Sequence, residues 1–471
     1  MEKVTPHVTG TPFYKVWRSE HYEAGSANSC VVQAPESGYV YAGNSEGVLE
    51  FDGARWRLLP LPKKSAVLAL AVDARGRVWV GAENEIARLE PDATGVLVAV
   101  PVIGDLPSGE SGQITRALAT AEGIWFGGRQ HVWCVQADGR VAVWQTPERF
   151  GSIWWMDRAV HTVVSDREVV RLDPAGVITD VFSREAIRVP VARQSPFQVY
   201  ATRQTGEDEW TLLTALGPVR WQSRARSWRA MPMRPPLFRA GGANAATFLA
   251  DGSMVFCGLE GGIILVSATG SVVGGINRLL AVLDPPATHL FEDREGGLWL
   301  AARDRLARLQ LRSAFVRHET PQNVRSNPRQ LLRHDGKLFL AHSDGVSRFD
   351  EWPGVFAPID ALHRTAETLA VVGGRLYAAA AGLVEIVDGP GGARAQSDLA
   401  ISTLAAFRGA PDLILAGDAQ GLWVFRADGA GWKPAGRLQQ LTAAVTKIFD
   451  RGDGTAWGAT ADGRLWPGGF S

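Results

Sequence analysis

LADGSMVFCG at residues 249–258 and EDREGGLWLAA at 292–302 share one pattern: an apolar run, an acidic residue with glycine, then an aromatic followed by small residues. DARGRVWVGA at 73–82 and FDRGDGTAWGAT at 449–460 repeat it. Acidic-Gly pairs such as Asp251-Gly252 and Asp335-Gly336 suit tight hairpins, because glycine adopts φ > 0 without a Cβ clash. Following the aromatic along the chain gives Tyr41, Trp79, Trp125, Trp210, Phe256, Trp299, Phe339, Tyr377 and Trp457, and degenerate copies at Thr162 and Leu415 fill the two gaps. The copies recur at a mean spacing of about 42 residues, the period of one four-stranded β-propeller blade. In the second copy AVLALAVD, RVWVGA, EIARLEP and GVLVAV read as four strands, which leaves no room for helices.

The side chains fit that reading. An aromatic on the second strand of each blade fills the wedge between blades, so the tryptophans have a packing role without any cofactor. Gly43, Gly81, Gly127, Gly258 and Gly417 follow the aromatic and let neighbouring blades approach. Seven copies end near Leu311, and FVRHETPQNVRSNPRQLL at 315–332 loosely echoes the lead-in FYKVWRSEHYEAGSANSCVVQ at 13–33. The expectation is an all-β chain with one seven-bladed ring over residues 1–313, closed by a lead-in strand within 12–17, and about four blades of a second, incomplete ring over 314–471. The last copy ends at GRLWPGGFS before a fourth strand.

Composition narrows the function classes. Lys+Arg and Asp+Glu are 49 each, so no basic field of the kind nucleic acid demands is present. No run of about 18 apolar residues could span a bilayer, and the N-terminus has no apolar segment before a small-residue cleavage site. Cys30, Cys134 and Cys257 lie far apart in apolar company, as reduced buried thiols do. Nine histidines show no H-x-x-x-H spacing and the cysteines no C-x-x-C, so no metal site is read and no cofactor is expected.

The opening residues carry a resemblance. Gly10, Pro12, Phe13, Tyr22, Gly38, Tyr41, Gly43, Asn44, the run Gly47-Val48-Leu49-Glu50 with Asp52, Gly53 and Trp56, and then Asp73, Gly76, Trp79 and Gly81 match the bacterial two-component regulator propeller family. EDREGGLWLAARDRLARLQ at 292–310 is similar to that family's repeat. One departure is the loop Ala27-Asn28-Ser29, where the family commonly has Gln-Asn-Trp, so an aromatic is missing at the ring mouth. The resemblance implies a periplasmic sensing region of a signalling receptor acting in a phosphorelay. The membrane span, triple-tyrosine domain and kinase, cyclase or DNA-binding output are not in this sequence. A cytoplasmic location is the alternative.

The functional surface of a propeller is its mouth, built by the loops before each inner strand and those joining the second and third strands. The first set offers Asn28, Lys64, Gln113, Arg116, Gln194, Asn244 and His289, donors suited to a carboxylate or to sugar hydroxyls. Asp73, Glu292, Asp293 and Asp450 recur at one repeat position and read as turn residues, not as catalytic acids. Arg451-Gly452-Asp453 sits in the same hairpin. GGANAA at 241–246 and GPGGARA at 389–395 read as loops, and Val-Val-Gly-Gly runs as turns. The expectation is therefore a small polar ligand or a partner protein domain, with a homodimer as a further option and no turnover. A stand-alone interaction scaffold, or a propeller hydrolase or dehydrogenase, are the alternatives.

Overall fold

The computed structural model describes residues 12–107, 109–173, 178–183, 197–231, 242–259, 262–276, 285–311, 327–350, 355–359, 362–387, 392–408, 410–429, 431–438 and 441–469. Among them eleven antiparallel sheets follow one another, ten of four strands and one of three. The chain divides into two compact units, Met1–Arg317 and His318–Ser471. The period placed its restart at 313/314, and both positions fall outside the described residues, as does most of the 315–332 echo.

In the first unit, blades 1 to 6 span residues 28–59, 67–103, 114–145, 150–183, 199–230 and 243–276. Blade 7 combines residues 289–309 with the strand Tyr14–Trp17, which pairs antiparallel with Arg305–Leu309, Trp17 opposite Leu306. The first described strand thereby covers the outer edge of the last blade of its unit. In the second unit, blades 8 to 11 span 328–358, 368–397, 403–437 and 445–469, the last having three described strands.

The core lies between sheets and not within them. Trp79 of blade 2 packs with Ile114, Phe126 and Trp133 of blade 3, and Trp125 with Phe150, Ile153 and Val160 of blade 4. Trp299 of blade 7 stacks on Trp17 at 5.1 Å between ring centres and meets Phe51 and Trp56 of blade 1, so the seam between the last and first blades is packed like the others. Tyr41, Phe256, Phe339 and Tyr377 are likewise buried, whereas Trp210 and Trp457 are only half-buried.

The acidic turn residue has a second task beyond the hairpin. Asp73 accepts from Trp79 Nε1 at 2.9 Å and Asp293 from Trp299 Nε1 at 2.8 Å, so each turn carboxylate anchors the indole six residues on. Thr120 does the same for Trp125 and Asp418 for Trp423. Three local expectations need correction. Ala243–Phe248, which takes in most of the GGANAA passage read as a loop, is the inner strand of blade 6, and Ala393–Ser397, which takes in the end of GPGGARA, is the outer strand of blade 9. Val272–Ile276, which holds one Val-Val-Gly-Gly run, is the outer strand of blade 6, paired with Ile263–Val266. The other run does turn, at Gly373-Gly374.

Candidate functional site at the ring mouth

The inner strands of the first unit all begin at one end of the central channel. Near that start six of them carry a register shift against the second strand: Asn28/Val31, Val67/Ala69, Ile114/Arg116, Phe150/Ile153, Val199/Ala201 and Ala243/Ala245. A β-bulge leaves one residue unpaired and re-aims its side chain. The residues so released include Ser29, Leu68, Thr115, Tyr200 and Asn244, and all five line one mouth cavity of about 720 Å³. Arg116, Gln198, Leu259, Thr288 and Arg303 complete much of its wall. A smaller cavity of about 370 Å³ adjoins it, with Gln113, Arg129, Arg149 and Ser152. Below both, the channel is walled by the inner strands of all seven blades.

Hydrogen bonds stitch these strands around the channel. Ser29 Oγ donates to Val67 O, Val199 N–H to Ser152 Oγ, Tyr200 OH to Ala243 O and Asn244 Nδ2 to Ala287 O, each between neighbouring blades. Val31 N–H donates to His289 Nδ1 at 3.3 Å, which joins blade 1 to blade 7. With Nδ1 accepting, the ring proton sits on Nε2. Burial, and then the nearby Arg116 charge, push the His289 imidazole down to about 4.

Arg116 differs from its neighbours. Its guanidinium has one hydrogen bond, to Thr115 O at 2.8 Å, and no ion pair with any described carboxylate. It borders the mouth, the smaller cavity and the channel together. Its charge reaches groups on three other blades: Cys30, pushed up to about 11 chiefly by burial, Tyr200, pushed up to about 12 by burial, and His289. In the first two Arg116 acts against burial and favours the anionic form.

The structure brings together Asn28, Arg116 and Asn244 at the mouth, with Gln113 beside it and His289 in the channel wall. Asn28, Arg116, Asn244 and His289 lie within strands, not in the loops where the sequence placed them; for the first three the inner strand begins before the bulge. Asn28 is buried, and its amide is taken up by Tyr22 OH, Ser26 O and Asn44, which leaves it a scaffold residue. Lys64 is exposed in a turn and lines none of these cavities. Gln194 lies outside the described residues. Arg303 and Leu259 were missed, although they sit between the second and third strands of blades 7 and 6, the other loop set that builds a mouth.

No group of three or more His, Cys, Asp or Glu among the described residues could hold a metal, and the three cysteines are free and buried. No helix among them is long and apolar enough to cross a membrane. No model of a known protein family matches the chain, and no curated protein matches it in sequence. Among solved structures it is similar to the extracellular domain of a putative hybrid two-component system from B. thetaiotaomicron, at 11% identity and a TM-score of 0.49 over 97% of this chain and 65% of that one. The chain thus spans slightly less than two thirds of that domain. A streptogramin B lyase is similar at 14% identity and a TM-score of 0.49, over 65% of this chain and 99% of the lyase. The WD40 β-propeller domain of Doa1 is similar at 12% identity and a TM-score of 0.47, over 64% of this chain and 98% of that domain.

Proposed function

We propose that this chain is the ligand-sensing propeller region of a bacterial two-component-type receptor, located in the periplasm, and that it binds a small polar ligand or a group presented by a partner domain without chemical turnover. The observation that carries the binding role is the convergence of bulged inner-strand residues and the unpaired Arg116 on one mouth. The receptor context comes from the residue resemblance at 10–82. Binding without turnover is supported by the chemistry of the lining. The mouth and channel walls contain no described carboxylate, the Cys30 thiol is held protonated by burial, and His289 is a weak base whose Nδ1 is already occupied.

Sensing then means that a ligand shifts a balance between two arrangements by its differential affinity for them. Calorimetric or thermal-shift screening of sugars, amino acids and carboxylates tests the reading, with recovered ligand analysed for change. The expected result is a saturable ligand that is weakened by Arg116→Ala and recovered intact. Consumption of a compound that stops in the Arg116→Ala protein would replace the sensor with an enzyme.

A further inference from the structure

The charge around the mouth is one-sided in a molecule that is neutral as a whole. Lys+Arg and Asp+Glu balance at 49 each, yet the walls of the mouth cavity and of its smaller neighbour hold Arg116, Arg129, Arg149 and Arg303 and no described Asp or Glu. Three of these, Arg116, Arg149 and Arg303, form no ion pair with a described carboxylate. Elsewhere on the chain arginines pair readily, as Arg308 does with Asp293, Arg77 with Asp73 and Arg57 with Glu50. A guanidinium is almost never neutral, and holding one in a partly enclosed channel without a counter-charge raises the free energy of the empty protein. Arg116 is in that position: it lines the mouth, its smaller neighbour and the channel, and its guanidinium has one hydrogen bond, to Thr115 O. Beside it Val67 and Leu68 of the neighbouring blade 2 add apolar wall, and Leu259 of blade 6 adds more across the ring.

We infer that the mouth is an organic-anion site, in which the ligand's negative group sits on the Arg116 guanidinium and its apolar body lies against Val67 and Leu68 of the neighbouring blade. The inference rests on the binding role proposed above and names the ligand class for it. Arg149 and Arg303, which are exposed, add long-range attraction for an approaching anion and not a second contact. Arg116 donates to the anion in a setting sheltered from water, so loss of the charge on either partner weakens binding about 10- to 100-fold.

Two pairs of probes that differ in charge test this: phenylacetate against phenylacetamide, and glucuronate against glucose, each titrated calorimetrically into the full chain and into Arg116→Gln. The expected result is that phenylacetate binds at least about tenfold tighter than phenylacetamide, and that the preference disappears in Arg116→Gln. Arg116→Gln should also melt no lower than the parent, since an unpaired cation contributes nothing to the empty fold. This outcome separates a ligand partner from a structural residue. A melting temperature well below the parent would make Arg116 structural and overturn the inference. Equal binding of the neutral members, with binding still dependent on the mouth, would overturn the anion class and leave the sensing role standing. Binding of none of the four, or an anion preference that persists in Arg116→Gln, would also overturn it.

Discussion

A single carboxylate shows how the repeat holds its aromatic. Burial pushes the Asp293 carboxyl up, but bonds from Arg308, Gly297 N–H and Trp299 outweigh it and hold it below its ordinary value. The carboxylate is spent on fixing an indole that itself stacks on Trp17 across the seam of blades 7 and 1. Trp299→Ala should therefore cost ~3–5 kcal/mol; a thermal melt checks it, and Trp299→Phe should recover part of the loss. A parent-like melt in Trp299→Ala would refute the wedge role. The histidines give a pH prediction. His289 and His161 are both pushed down to about 4 by burial from an ordinary 6.5. Between those values the unfolded chain binds more protons than the folded one, so their contribution to stability is complete above the ordinary histidine range and is lost as pH falls toward 4. Melts from pH 7.5 to 5 should show a falling midpoint, with a shallower fall in His289→Gln, which keeps an acceptor for Val31 N–H but cannot titrate. A flat series would count against the buried neutral state.

At the scale of elements, what the sequence shows and what it hides separate cleanly. The second strands were legible because acidic-Gly turn, aromatic and small residue form a local signal, and the small residue has a visible reason: a Cβ at Gly81 would run into Ile114, the first inner residue of the next blade. The bulges were not legible. They arise from register between two strands and leave no mark on the alternation, so Tyr200 and Thr115 gave no sign that they face the mouth. Nor could residue types alone reveal that Asn28 would be consumed by Tyr22 and Asn44 while Arg116 stays unpaired. The strand Tyr14–Trp17 is the element on which the first unit's last blade depends, since its removal uncovers the edge of Arg305–Leu309 and takes Trp17 from the aromatic cluster. Deletion of residues 1–17 should lower the melting temperature at least as far as Trp299→Ala does. A truncated chain that melts with the parent would mean that three strands suffice for blade 7.

At the scale of the molecule, the two units are built from the same blade but finish it differently. In the first, one core cluster joins blade 7 to blade 1 through Trp299, Trp17, Val31 and Leu49, so each blade is covered on both faces. In the second, clusters join blades 8 to 9, 9 to 10 and 10 to 11, and among the described residues none joins 11 to 8. The terminal faces are unevenly covered: on blade 8 Leu331 is 58% exposed while Leu340, Phe349 and Phe356 are buried, and on blade 11 Phe449 and Leu465 are 51% and 61% exposed. When each repeat is stabilised chiefly by its neighbours, a blade with one neighbour has lost about half of its interface. The full chain should accordingly unfold in two transitions, residues 318–471 first, and limited proteolysis should cut blades 8 or 11 while the first unit remains intact. Calorimetry and mass analysis of the fragments read both. A single transition, or equal resistance of the two units, would require that something else covers Leu331, Phe449 and Leu465 in solution, whether a second copy of the chain or a partner, and the concentration dependence of the melt would distinguish the first of these from the second.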